Sequence, residues 1–104
     1  MSEPSSVIKI ADIRQGMRNL TIMGKIAQVG EARAVTTRFG PANVAAAIIE
    51  DDTGSIRINL WRDQIDKVKT GDTVRLENAF VRVFNNQNEL NIGKDGKIVV
   101  LERF

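Results

Sequence analysis

The 104-residue chain contains no cysteine and no histidine. Without cysteine there is no disulfide framework, no thiolate nucleophile and no zinc–thiolate cluster. Without histidine the commonest general base and metal ligand is gone as well. No apolar run approaches the ~20 residues that cross a bilayer, and no basic stretch precedes a hydrophobic one at the start. The sequence therefore points away from membranes and secretion, to a cytoplasmic protein. Charge of one sign is lacking too: 15 Lys and Arg stand against 13 Asp and Glu, a net +2. Any basic footprint must then come from where the charges sit. Aromatics are scarce, with one Trp, four Phe and no Tyr.

Where the few aromatics fall is informative. Ile56, Ile58 and Leu60 alternate with Arg57, Asn59 and Trp61, and Val81 and Val83 alternate with Phe80, Arg82 and Phe84. Period two is the pattern of a strand with one face in a core and the other in water. Either set could be the buried one, since Trp and Phe are usually inside. The same split on two strands, with an arginine in each aromatic set, favours the aliphatic sets as core. Burying Arg57 and Arg82 in a domain this small would cost several kcal/mol each unless they were paired. Ile58, Leu60, Val81 and Val83 are thus expected inside. Arg57, Trp61, Phe80, Arg82 and Phe84 are expected on one open face, a platform suited to stacking nucleobases.

The rest of the chain reads in order. Residues 1–6 form a polar leader with Pro4, expected to be flexible, and residues 7–104 a single domain. Val7–Met17 carries Ile8, Ile10 and Ile13 and reads as a short segment that plugs one end of the core. Leu20–Val29 alternates as a long first strand, with Gly24 in the inward series, where a strand interior tolerates glycine at a bend or close approach. Gly30–Asn43 loses the alternation and reads as a basic loop holding Arg33, Thr37, Arg38 and Phe39. Val44–Glu50 is a small, buried strand, and Asp51-Asp52-Thr53-Gly54 a tight turn into the next. The two adjacent carboxylates there suit a turn better than a metal site, because no third ligand is near in sequence.

Arg62–Lys69 shifts to helical spacing, with Asp63 placed to cap a helix of about two turns. In Thr73–Phe84 the inward parity changes between Leu76 and Val81, which calls for a bulge near Glu77-Asn78-Ala79. Asn85–Asn88 is a polar turn, and the last strand, interrupted at Gly93–Gly96, runs to Leu101. This order, with its coiled first strand and bent fourth, predicts an all-β, five-stranded Greek-key OB-fold barrel with a short helix between strands 3 and 4.

Several stretches resemble the archaeal single-stranded DNA-binding proteins, a family similar to replication protein A and to the single-OB human sensor of single-stranded DNA. They are Ile10-x-Asp12-Ile13-x-x-Gly16-Met17-x-Asn19, Asp51-Asp52-Thr53-Gly54, Leu60-Trp61, Leu76-Glu77-Asn78-Ala79-Phe80 and Leu90-Asn91-Ile92-Gly93. They span nearly the whole chain, and it is their ordered set rather than any single piece that is specific. The resemblance implies that Trp61, Phe80 and Phe84 stack on bases and that Arg33, Thr37 and Arg38, beside Phe39, clasp the backbone. Two departures matter. Some archaeal members carry a zinc finger, which a chain without Cys or His cannot build. The Gly-rich or acidic tail that carries protein partners in single-OB members is also missing, so this reads as one domain of a larger protein or a trimmed piece.

The expected function is non-catalytic binding of single-stranded DNA with low sequence preference, in replication, recombination or repair, in a nucleoid-associated protein. No cofactor and no metal are expected. Single-stranded RNA is an alternative ligand, since the 2′-hydroxyl contacts that discriminate are not legible. A structural OB domain that mediates subunit assembly is the alternative of another class, disfavoured by the interleaved arginines. An enzyme is disfavoured because there is no Gly-rich phosphate loop and no nucleophile–base pair.

Overall fold

A computed structural model describes residues 7–103; the expected leader at residues 1–6 lies outside the described residues. Six strands follow one another: β1 (Leu20–Val29), β2 (Arg33–Thr37), β3 (Gly40–Asp51), β4 (Gly54–Trp61), β5 (Thr73–Phe84) and β6 (Gln87–Glu102). They hydrogen-bond in the order β1-β5-β6-β4-β3-β2, and β1 also pairs with β3. The ring β1-β5-β6-β4-β3 is therefore closed by five strands, antiparallel except for the parallel β4–β6 pair. This is the five-stranded OB barrel, and β2 is an addition to it. The stretch read as a basic loop instead forms a hairpin, in which Arg33–Thr37 pair with Gly40–Val44 beyond the point where β1 leaves β3.

Closure depends on β1 changing partners. Its first half pairs with β5 and its second with β3, and Lys25 faces Thr73 on one side and Glu50 on the other. Gly24 sits at this crossing because a Cβ there would lie 2.5 Å from the Glu50 carbonyl oxygen and 2.8 Å from Ile49. No other residue fits without moving backbone.

The barrel core is aliphatic: Ile22, Ile26, Ile49, Ile58, Leu60, Val74, Leu76 and Leu90 are fully buried. Ile10 and Ile13, on and after a 3-10 turn at Ile10–Asp12, plug one end. That plug is fastened by the Asp51–Gly54 turn. Asp51 Oδ2 accepts from the Ile10 N–H at 2.9 Å, and Thr53 Oγ1 accepts from the Ala11 N–H at 3.0 Å. The paired carboxylates are thus structural: Asp51 also accepts from the N–H groups of Thr53 and Gly54, and Asp52 takes the Lys9 ammonium at 2.8 Å.

Two expectations need correction here. The helix between β4 and β5 is a 3-10 helix, Arg62–Lys67, and Asp63 does not cap it. Trp61 holds the cap position, its backbone N–H donating to Gln64 Oε1 at 2.9 Å, because Arg62 turns into the left-handed region (φ 56°) one residue early. Val83, expected in the core, is 39% exposed. The parity change in β5 does occur, with the ladder shifting between Glu77 and Ala79 and Asn78 at φ 58°. After it Ala79 and Val81 are buried, but by Val83 the β5–β6 hairpin has run past the end of the barrel.

Candidate nucleic-acid interface

Residues paired across neighbouring strands point to the same side of a sheet, so the register defines the open face. One cross-strand row is Ala46–Asn59–Asn91–Phe80, and the next is Ile48–Arg57–Glu89–Arg82. On one flank Arg33, Val44 and Trp61 form a third row across β2, β3 and β4. On the other, Phe84 pairs with Gln87 next to the hairpin turn. Rows two residues apart are separated by roughly 7 Å along the strands. Five expected residues, Arg57, Trp61, Phe80, Arg82 and Phe84, therefore share one face, and Arg33 joins them.

The aromatics are not equally open. Phe84 is 59% exposed, whereas Trp61 and Phe80 are half-buried. Trp61 is seated by its indole, whose Nε1 donates to Asn91 Oδ1 at 3.3 Å. Phe84 stands out because Asn85 and Asn86 both adopt positive φ (52° and 63°), the geometry of a tight two-residue hairpin turn that carries it beyond the barrel.

Beneath the arginines lies a polar group that sequence reasoning passed over. Glu89 is buried on this face, bracketed in register by Arg57 and Arg82. Its Oε2 is 3.5 Å from Arg57 Nε, and its Oε1 accepts from Asn59 Nδ2 at 2.9 Å. Arg57 Nε also donates to Asn59 Oδ1 at 3.4 Å. Arg57 is thus held over the sheet, while Arg33, Arg38 and Arg82 make no ion pair among the described residues. The available signal was the alternation of Glu89 and Asn91 with Leu90 and Ile92. It marks β6 as a strand with polar groups on its outer side, and only the neighbouring strands reveal that this side is covered.

The other loop residues sit apart from the rows. Arg38 and Phe39 occupy the tip of the β2–β3 hairpin, with Phe39 84% exposed. Thr37 closes that tip: its hydroxyl donates to the Gly40 carbonyl at 2.7 Å and accepts from the Phe39 N–H at 3.1 Å. No group of three or more His, Cys, Asp or Glu that could hold a metal occurs among the described residues. No helix among them is long and apolar enough to cross a membrane.

Relatives share this architecture. The chain is 30% identical over 90 residues to the single-stranded DNA binding protein Ssb of Saccharolobus solfataricus, covering 86% of this chain and 61% of that one. It is 30% identical over 97 residues to replication factor A of Methanothermobacter thermautotrophicus, covering 92% of this chain and 12% of that protein. It spans about three fifths of the first and about an eighth of the second. Among solved structures, the replication factor A related protein from Methanobacterium thermoautotrophicum superposes with a TM-score of 0.78 at 26% identity, covering 98% of this chain and 96% of that one. Residues 13–100 match the family described as single-stranded DNA binding protein Ssb-like, OB fold, and the chain belongs to that family.

Proposed function

We propose that this chain binds single-stranded DNA with little sequence preference and without catalysing a reaction. Bases stack on Trp61, Phe80 and Phe84, while Arg33, Arg38, Arg57 and Arg82 meet the phosphates. The observation that carries the reading is the register itself: Trp61, Phe80 and Phe84 fall on one open sheet face, and the row holding Arg57 and Arg82 lies between the rows of Phe80 and Phe84. Every base has a π-face, so stacking tolerates any sequence, and guanidinium groups neutralise a backbone common to all. Membership in the Ssb-like family supports it. A role in replication, recombination or repair, and a place on the nucleoid, follow from the ligand.

Trp61 is the only tryptophan, so its fluorescence reports on the face directly. Titration with oligo-dT should quench it at concentrations where a duplex of the same length does nothing. Equal binding of duplex would sink the reading, because paired bases cannot reach a stacking platform. Oligo-U in the same assay decides between DNA and RNA. An assembly domain would leave the fluorescence unchanged by either strand and would instead show association on sedimentation.

A further inference from the structure

Asn91 occupies the centre of the open face. In register it lies between Asn59 of β4 and Phe80 of β5, and its Oδ1 receives the Trp61 indole N–H. The residue is only 5% exposed, yet its Nδ2 has no hydrogen-bond partner. The two amide atoms are not interchangeable here. An indole N–H can only donate, so the atom facing it has to be the carbonyl oxygen, and the orphan is the NH₂. Buried donors without partners are rare and unfavourable, and Asn is a poor strand former besides. A sequence serving stability alone would place Thr or Val at this position.

We propose that the Asn91 amide is a base-reading donor. When a base stacks on Trp61 or Phe80, the Nδ2–H donates to a hydrogen-bond acceptor on that base, a pyrimidine carbonyl or a purine ring nitrogen. The inference rests on the stacking reading above and adds a polar contact to it. The amide is closed to solvent in the free chain, and the group bonded to it is the Trp61 indole. That bond, at 3.3 Å, is longer than most N–H···O contacts and makes a weak tether, so the indole can shift as a base arrives. All four bases carry such acceptors on their edges, including thymine and cytosine O2, adenine N3 and guanine O6. A single donor therefore separates a polar base from a nonpolar ring of the same shape without separating one sequence from another.

The test uses two oligonucleotides of equal length, oligo-dT and a strand in which every thymine is replaced by 2,4-difluorotoluene, which stacks but is a poor acceptor. Wild type should bind the difluorotoluene strand about 2- to 12-fold more weakly, the worth of one net hydrogen bond. Asn91→Leu should bind the two strands equally; it removes the orphan donor but also the acceptor of the Trp61 indole N–H, so its cooperative melt serves to show that it folds. Asn91→Asp keeps an acceptor for the indole and deletes the donor. Its added charge repels both strands alike, so its affinity ratio should also fall to about one, and it carries the test if the leucine variant fails to fold. If wild type binds both strands equally, or either folded variant keeps the wild-type ratio, the inference is overturned and the stacking platform stands. If wild type does not bind oligo-dT at all, both fall together.

Discussion

Trp61 and Phe80 are half in the sheet and half out of it, and Phe84 is mostly out. Such rings bury one edge for seating and keep a face free for a ligand, and the balance sets what their removal should cost. Base–aromatic stacking is worth about 1–3 kcal/mol per base, so Trp61→Ala, Phe80→Ala and Phe84→Ala should each weaken oligo-dT binding roughly 5- to 150-fold. Their stabilities should diverge. Phe84→Ala should melt within a few degrees of wild type, since no core cavity opens. Trp61→Ala and Phe80→Ala should lose some stability, yet less than the about 3–5 kcal/mol of a fully buried aromatic. Calorimetry alongside the fluorescence or filter-binding titration separates the two effects. Unfolded Trp61→Ala and Phe80→Ala proteins would mean that the rings are core after all. At this scale the sequence was most readable for the aromatics, because period two assigns a side to each residue. It was least readable for Glu89 and Asn91, whose burial comes from side chains on β4 and β5 closing over them, a property of neighbours distant in the chain.

Between elements, β1 carries the closure. The Gly24 position was legible as a bend because a glycine in an inward series has no packing purpose of its own. The bulge in β5 was legible for a similar reason, as a change of parity that only an extra residue explains. The β2–β3 hairpin was not legible. Arg33–Thr37 mixes one arginine, Ala34, Val35 and two threonines and fully buries none of them, so no core face imposes alternation; it becomes a strand because the free edge of β3 offers backbone partners. The 3-10 helix was misread in detail because the left-handed φ of Arg62 carries no sequence signature. Gly24→Ala tests the closure directly. Its methyl group would meet the Glu50 carbonyl, so β1 or β3 must move, and overpacking of this kind costs about 1–3 kcal/mol. Urea denaturation should show a lower midpoint with an unchanged slope. Retained midpoint would mean that β1 can bend elsewhere.

Over the whole molecule, acidity acts through two carboxylates that fasten chain segments. Asp72 is buried, and its hydrogen bonds from Arg103 (2.9 and 3.1 Å) hold it below its ordinary value against the upward push of burial. Burial pushes Asp51 up as well, but the Thr53 hydroxyl and the N–H groups of Ile10, Thr53 and Gly54 together outweigh it and leave it lowered. A depressed folded value stabilises the protein above the unfolded value, about 3.9 for Asp, and that stability is lost as pH falls through the folded value. Melting temperature should therefore be flat near neutrality and drop below about pH 4, less steeply in Asp72→Asn, which starts lower. An identical acid profile for that variant would remove Asp72 from the account. Charge at long range contributes little here, because a net charge of +2 gives the molecule no strong field. Salt dependence of DNA binding should then come from the few arginines on or beside the open face. Arg57 is partly neutralised by Glu89, which leaves Arg33, Arg38 and Arg82 to release counterions. At roughly 0.7 per phosphate on a single strand, the slope of log K against log salt should be about −2, and Arg82→Ala should make it shallower by about 0.7. A slope near zero would mean that stacking alone holds the strand, and one of about −5 or steeper that phosphates touch far more of the surface than this face.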